Sequence, residues 1–156
     1  MPAQTDAARI DPALTDPADP APLAGREALV LGAGVAGLAA AAALRRFGAE
    51  VAILEQAPQI AEIGGGLQIS PNGACVLRAL GIDPASAGDR SEAVELRDRT
   101  GRLVSRLALP RDGAGFWLCH RADLIAVLER AMRAGGTRVQ LLQKVDQIEL
   151  GEGGAR

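Results

Sequence analysis

From Arg26 onward the apolar positions fall into short runs and helical stripes separated by glycines; before it they do not. Ala28 to Leu31 is an apolar run of the kind that forms a strand buried on both faces. Gly32 to Gly34 breaks it. Val35 to Phe47 is rich in Ala and Leu, with no β-branched residue after Val35, which predicts a helix. Arg45 and Arg46 fall in its last turn, where cations complement the helix dipole, and Gly48 stands where a C-terminal cap belongs. Glu50 to Leu54 reads as a second buried strand. Strand, tight turn, helix, glycine and strand in this compass make a βαβ unit.

Beyond it, Gln56 to Pro71 reads as a loop carrying the triplet Gly64–Gly65–Gly66. Asn72 to Leu80 places Val76, Leu77 and Leu80 on one helical face, and Gly81 ends it. Ala93 to Leu109 predicts a hairpin turning near Thr100–Gly101, with apolar residues alternating in its first arm. Phe116 to Cys119 is a short strand. Arg121 to Arg133 is an amphipathic helix with Leu124, Leu128 and Ala131 at helical spacing and Gly135–Gly136 at its end. Arg138 to Leu142 and Gln147 to Leu150 read as two more strands. The body holds no internal repeat and no low-complexity segment.

Composition changes this picture at one end. The first 24 residues hold five of the nine prolines, four Asp against one Arg, and none of the 19 glycines. Such a segment has little apolar surface to bury, so Met1 to Ala24 is expected to be a disordered acidic tail, with the folded part running over 25–156. It has neither the basic start nor the apolar stretch of a secretory signal, which makes the cytoplasm the default location. With only 2% aromatic residues, the core must be built from Ala, Leu and Val. A net charge of −2 offers no electrostatic case for nucleic acid or acidic membranes as partners. Cys75 and Cys119 lack metal-ligand spacing and read as reduced, buried thiols; no metal is expected.

Ala28 to Leu44 is seventeen residues without a charge, which touches the lower edge of what crosses a bilayer. The glycines argue otherwise. Gly32-Ala33-Gly34-Val35-Ala36-Gly37 is a GxGxxG between strand and helix. Gly32 permits the tight turn, Gly34 lets backbone approach a pyrophosphate, and Gly37 lets helix and strand pack closely. The helix N-terminus then presents N–H groups and a positive dipole end to phosphate. Glu55 ends the second strand eighteen residues past Gly37, where a carboxylate accepts hydrogen bonds from both ribose hydroxyls of an adenosine. The same carboxylate repels a 2′-phosphate, which argues against NADP in this pocket. The stretch is therefore a dinucleotide cradle rather than a membrane span, and FAD and NAD both carry the ADP half that it reads.

Three stretches taken together resemble the FAD-dependent aromatic hydroxylases of the single-component flavoprotein monooxygenase type, such as salicylate, 3-hydroxybenzoate, urate and ubiquinone-pathway hydroxylases. They are the GxGxxG with Glu55, "IGGGLQISPNGACVLRALGI" (Ile63 to Ile82) and "HRADLIAVL" (His120 to Leu128). The resemblance implies an α/β fold: a Rossmann-like FAD-binding βαβ domain with an inserted β-hairpin, truncated relative to the family. It implies that Gly32, Gly34, Ala36 and Gly37 cradle the FAD pyrophosphate and that Glu55, with Gln56 beside it, holds the adenosine ribose. It further implies that Gln68 lies toward the flavin, that Arg121 contacts FAD, and that the backbone of Val145 meets the adenine. In that family NAD(P)H is the electron donor, O₂ is consumed and a small aromatic ring is hydroxylated.

The family's Asp-Gly motif after these strands, its later Gly-Asp motif at the ribitol and its substrate-covering sheet have no counterpart in the 156 residues. The resemblance thus implies the N-terminal part of a hydroxylase more than twice this length, with catalytic residues elsewhere and an apolar edge left bare. A different FAD or NAD oxidoreductase, or a non-catalytic nucleotide-binding module, are the alternatives. Read without the resemblance, Arg121 beside Asp123 is a solvated first helical turn and Gln68 a loop residue. His120 reads as structural, Cys119 lacks a paired base, and Trp117 reads as packing.

Overall fold

A computed structural model describes residues 21–60, 64–111, 113–151 and 154–155. In chain order the elements are β1 (Glu27–Leu31), α1 (Val35–Arg46), β2 (Glu50–Leu54), β3 (Gly66–Ile69), α2 (Pro71–Ala79), a 3-10 turn (Pro84–Ser86), β4 (Gly88–Ser91), β5 (Ala93–Arg97), β6 (Leu103–Ala108), β7 (Phe116–His120), α3 (Arg121–Ala134), β8 (Arg138–Gln140), β9 (Leu150–Gly151) and β10 (Gly154–Ala155). The expected βαβ unit is β1–α1–β2, and β1 pairs with β2 in parallel from Glu27↔Glu50 to Leu31↔Leu54. Strand β8 adds in parallel to the far side of β2, giving the order β1-β2-β8.

Why α1 stops where it does is visible in its backbone. The Gly48 N–H donates to Arg45 O and the Ala49 N–H to Leu44 O, with Gly48 at a φ of +93°, a left-handed conformation that glycine adopts without steric cost. The Leu23 N–H reaches Phe47 O at 2.9 Å, and Leu23 is half-buried against the core. Of the expected tail, residues 1–20 lie outside the described residues, whereas 21–24 form a turn laid over the end of α1. Helices α1 and α3 pack together on one face of the β1-β2-β8 sheet. Leu38 and Ala41 of α1, Val51 and Ile53 of β2, and Leu124, Leu128 and Met132 of α3 form that interface.

Several expectations need correcting. Strand β1 is not buried on both faces: Ala28 and Val30 turn toward the helices, but Leu29 and Leu31 are 55% and 43% exposed. The loop over Gln56 to Pro71 contains β3, and β4 was not foreseen at all. Both pair antiparallel with β7, giving a second sheet in the order β3-β7-β4. On α2 the buried residues are Ala74 and Leu77, while Val76 points outward. The strand expected over Gln147 to Leu150 reduces to the residue pair of β9, and β8 ends at Gln140 rather than Leu142. The hairpin β5–β6 is as expected. Asp98 accepts from the Thr100 hydroxyl and from the Thr100 and Arg102 N–H groups, and Gly101 has a φ of +85°.

Candidate nucleotide-binding site

The GxGxxG turn links β1 to α1. Gly32 has a φ of +92°, which a residue with a Cβ adopts only under strain. A Cβ on Gly37 would collide with the Gly32 carbonyl and press on Val30, so helix and turn touch backbone to backbone here. At Gly32 and Gly34 a Cβ would meet nothing within 4 Å, so the outer side of the turn is open. No side chain caps α1 and its first turn carries no acidic residue. Its N–H groups and dipole are thus available to an anion.

Glu55 closes this turn from the end of β2. Its Oε2 accepts the Ala33 N–H at 2.6 Å and its Oε1 accepts the Ala57 N–H at 2.8 Å. These two bonds, Ala33 first, hold the Glu55 carboxyl below its ordinary range against the opposing effect of burial; Gln56 N–H adds a smaller pull in the same direction. The backbone of Glu55 is held as firmly. Its N–H donates to Gln140 O, its carbonyl accepts from the Gln143 N–H, and the Leu142 N–H donates to Ala57 O. Leu142 takes a φ of 58°, rare for a residue with a side chain.

Of the residues singled out in the sequence, Gly32, Gly34, Ala36, Gly37, Glu55 and Gln56 therefore form one cluster. Val145, two residues beyond Gln143, is 40% exposed. Gln68 and Arg121 belong to the other sheet region. Gln68 is opposite Leu118 in the β3–β7 ladder, and the Arg121 N–H donates to Gly65 O at 3.2 Å. A Cβ on Gly64 would sit 2.8 Å from Arg121 Cβ, so Gly64 makes room for the stem of Arg121. Trp117 is buried and its indole N–H donates to Ala114 O. Cys119 is buried, and desolvation, with Asp123 nearby, raises its thiol pKa. The roles of Ala57, Leu142 and Gln143 escaped the sequence reading because all three act through backbone, which residue type does not announce.

A scan of family models matches residues 30–68 to the NAD(P)-binding Rossmann-like domain. Over 116 residues (69% of this chain, 29% of the relative) the sequence is 50% identical to 3-hydroxybenzoate 6-hydroxylase 1 of Aquipseudomonas alcaligenes. Over 118 residues (70% of this chain, 30% of the relative) it is 39% identical to 3-amino-4-hydroxybenzoate 2-monooxygenase of Streptomyces cremeus. The chain is thus homologous to flavoprotein aromatic hydroxylases over part of their length. Among solved structures, the tetrameric form of 2-methyl-3-hydroxypyridine-5-carboxylic acid oxygenase superposes with a TM-score of 0.68 at 28% identity, over 75% of this chain and 31% of that one. The chain spans about 30% of the length of the curated relatives it matches.

Proposed function

We propose that this chain is the dinucleotide-binding part of an FAD-dependent monooxygenase that hydroxylates a small aromatic ring, using NAD(P)H as electron donor and O₂ as co-substrate, in the cytoplasm. The observation that carries the reading is the ionised Glu55 held across an open glycine turn. The residues fit the group. A diphosphate on the outer side of Gly32, Gly34, Ala36 and Gly37 meets free space, backbone N–H groups and the positive end of α1. Each Glu55 oxygen accepts one N–H and keeps lone-pair capacity for a ribose hydroxyl. In this reading Gln56 flanks the ribose, Val145 backbone meets the adenine, and Gln68 and Arg121 reach the more distant parts of the cofactor. Arg121 suits that place because its guanidinium is always charged and planar. The bound flavin supplies the redox and oxygen chemistry that protein side chains lack. The groups that touch the aromatic ring are assigned to parts of the protein outside these residues.

A nicotinamide dinucleotide in the same turn is the second reading, favoured by the matched family description. Oxygen consumption by the full-length protein separates the two. The proposal expects NAD(P)H oxidation and O₂ uptake that rise when a hydroxylated aromatic acid is added. Oxidation of an alcohol or hydroxy acid with NAD⁺, without O₂ uptake, would support the second reading.

A further inference from the structure

We propose that Glu55 is a positioning residue for the glycine turn itself, holding it in binding shape before any nucleotide arrives, and not only a partner of the ribose. The inference deepens the reading above and rests on it only in taking the turn as the phosphate-binding element. Its basis is that the chain's own backbone engages the carboxylate. Both oxygens already accept backbone N–H groups, one from Ala33 inside the turn and one from Ala57 on the loop after β2. Ala33 is 4% exposed, so its N–H has little access to water and depends on this acceptor. The carboxylate thereby joins segments 22 residues apart. The backbone bonds from Glu55 and Ala57 to the 140–143 segment fix the position from which it reaches. Three pieces of chain thus meet at Glu55, two through its carboxylate and the third through its backbone.

A ribose partner and a positioning residue differ in what happens without ligand. Glutamine keeps an acceptor oxygen for a ribose hydroxyl, but its NH₂ would then face one of the two N–H groups, so one tie is lost. The test is hydrogen exchange of individual amides in the nucleotide-free chain, comparing wild type with Glu55→Gln, Glu55→Ala and, as control, Gln59→Ala at an exposed loop position outside the cluster. The expected result is a rise of about tenfold or more in exchange at Ala33, Ala57 or both for either Glu55 variant, and none for the control. Exchange of Ala41 and Ile53, outside the turn, should be unchanged, which separates a loosened turn from a loosened fold. If Glu55→Ala speeds exchange everywhere, Glu55→Gln, which keeps the volume, decides the matter. Unchanged exchange at both Ala33 and Ala57 in a folded Glu55→Gln variant would overturn the proposal. Because no nucleotide is present, that failure is distinct from a failure to bind FAD.

Discussion

The two faces of the β1-β2-β8 sheet have opposite environments. On one, Val51 and Ile53 are 3% and 0% exposed beneath α1 and α3; on the other, Leu29 and Leu31 stand largely in solvent. Parallel sheets are stable when both faces are covered, so the covered face carries the folding free energy of this region and the bare face subtracts from solubility. The glycine turn grows from the top of this sheet and leans on its covered side, through Val30 and Gly37. The site is therefore built on the half of the sheet that this chain completes by itself.

The largest effect that would test this contrast is a pair of truncations. Ile53→Ala should cost about 2–5 kcal/mol in chemical denaturation, because it leaves a cavity in a fully packed interface. Leu31→Ala, one strand away on the bare face, should cost less than about 1 kcal/mol. Equal losses would mean that the bare face is covered in solution, by a second copy or by residues outside those described. Next in size, Gly37→Ala should cost about 1–3 kcal/mol, since the new methyl group collides with the Gly32 carbonyl and backbone cannot swing aside as a side-chain end can. A variant as stable as wild type would show that the turn and α1 are not in close contact.

A smaller effect is set by pH. The Glu55 carboxyl lies below its ordinary value of 4.5 in the folded chain, so its contribution is complete above that value and is lost as pH falls through the lower, folded-state pKa. Urea denaturation between pH 7 and pH 3 should show wild type losing its advantage over Glu55→Gln toward the acid end; a constant difference would contradict this. The smallest expected change in stability, within about 0.5 kcal/mol, is for Leu29→Ser on the bare face. Light scattering should nevertheless show less self-association, and no change there would mean that another surface drives it. The hairpin is the first alternative, with Val94, Leu96 and Leu107 exposed on one of its faces.

Much of this was legible in the sequence where local rules govern. The unit β1–α1–β2 announces itself through glycine positions, a helix free of β-branched residues and a carboxylate at a strand end. The hairpin does so through Thr100–Gly101 and the alternation of its first arm. What could not be read depends on partners distant along the chain. Strand β4 is Gly88-Asp89-Arg90-Ser91, with no apolar pattern at all, and it is a strand because β7 lies beside it. Strand β3 begins at the last glycine of the triplet and is extended for the same reason. The apolar run Ala28 to Leu31 predicted burial on both faces because residue type reports what a strand prefers, not what lies over it. In the site, Glu55 was visible as a lone acid at a strand end, while its two N–H partners were not, since any residue other than proline can supply an N–H.

The measurement that tests the central claim most directly is a titration of the purified chain with FAD, followed by flavin fluorescence, with NAD as competitor and Glu55→Ala beside it. Saturable FAD binding that NAD displaces poorly, and that falls at least tenfold in the variant, is the predicted result. A folded chain that binds NAD in preference to FAD, or binds FAD equally well without Glu55, would contradict it.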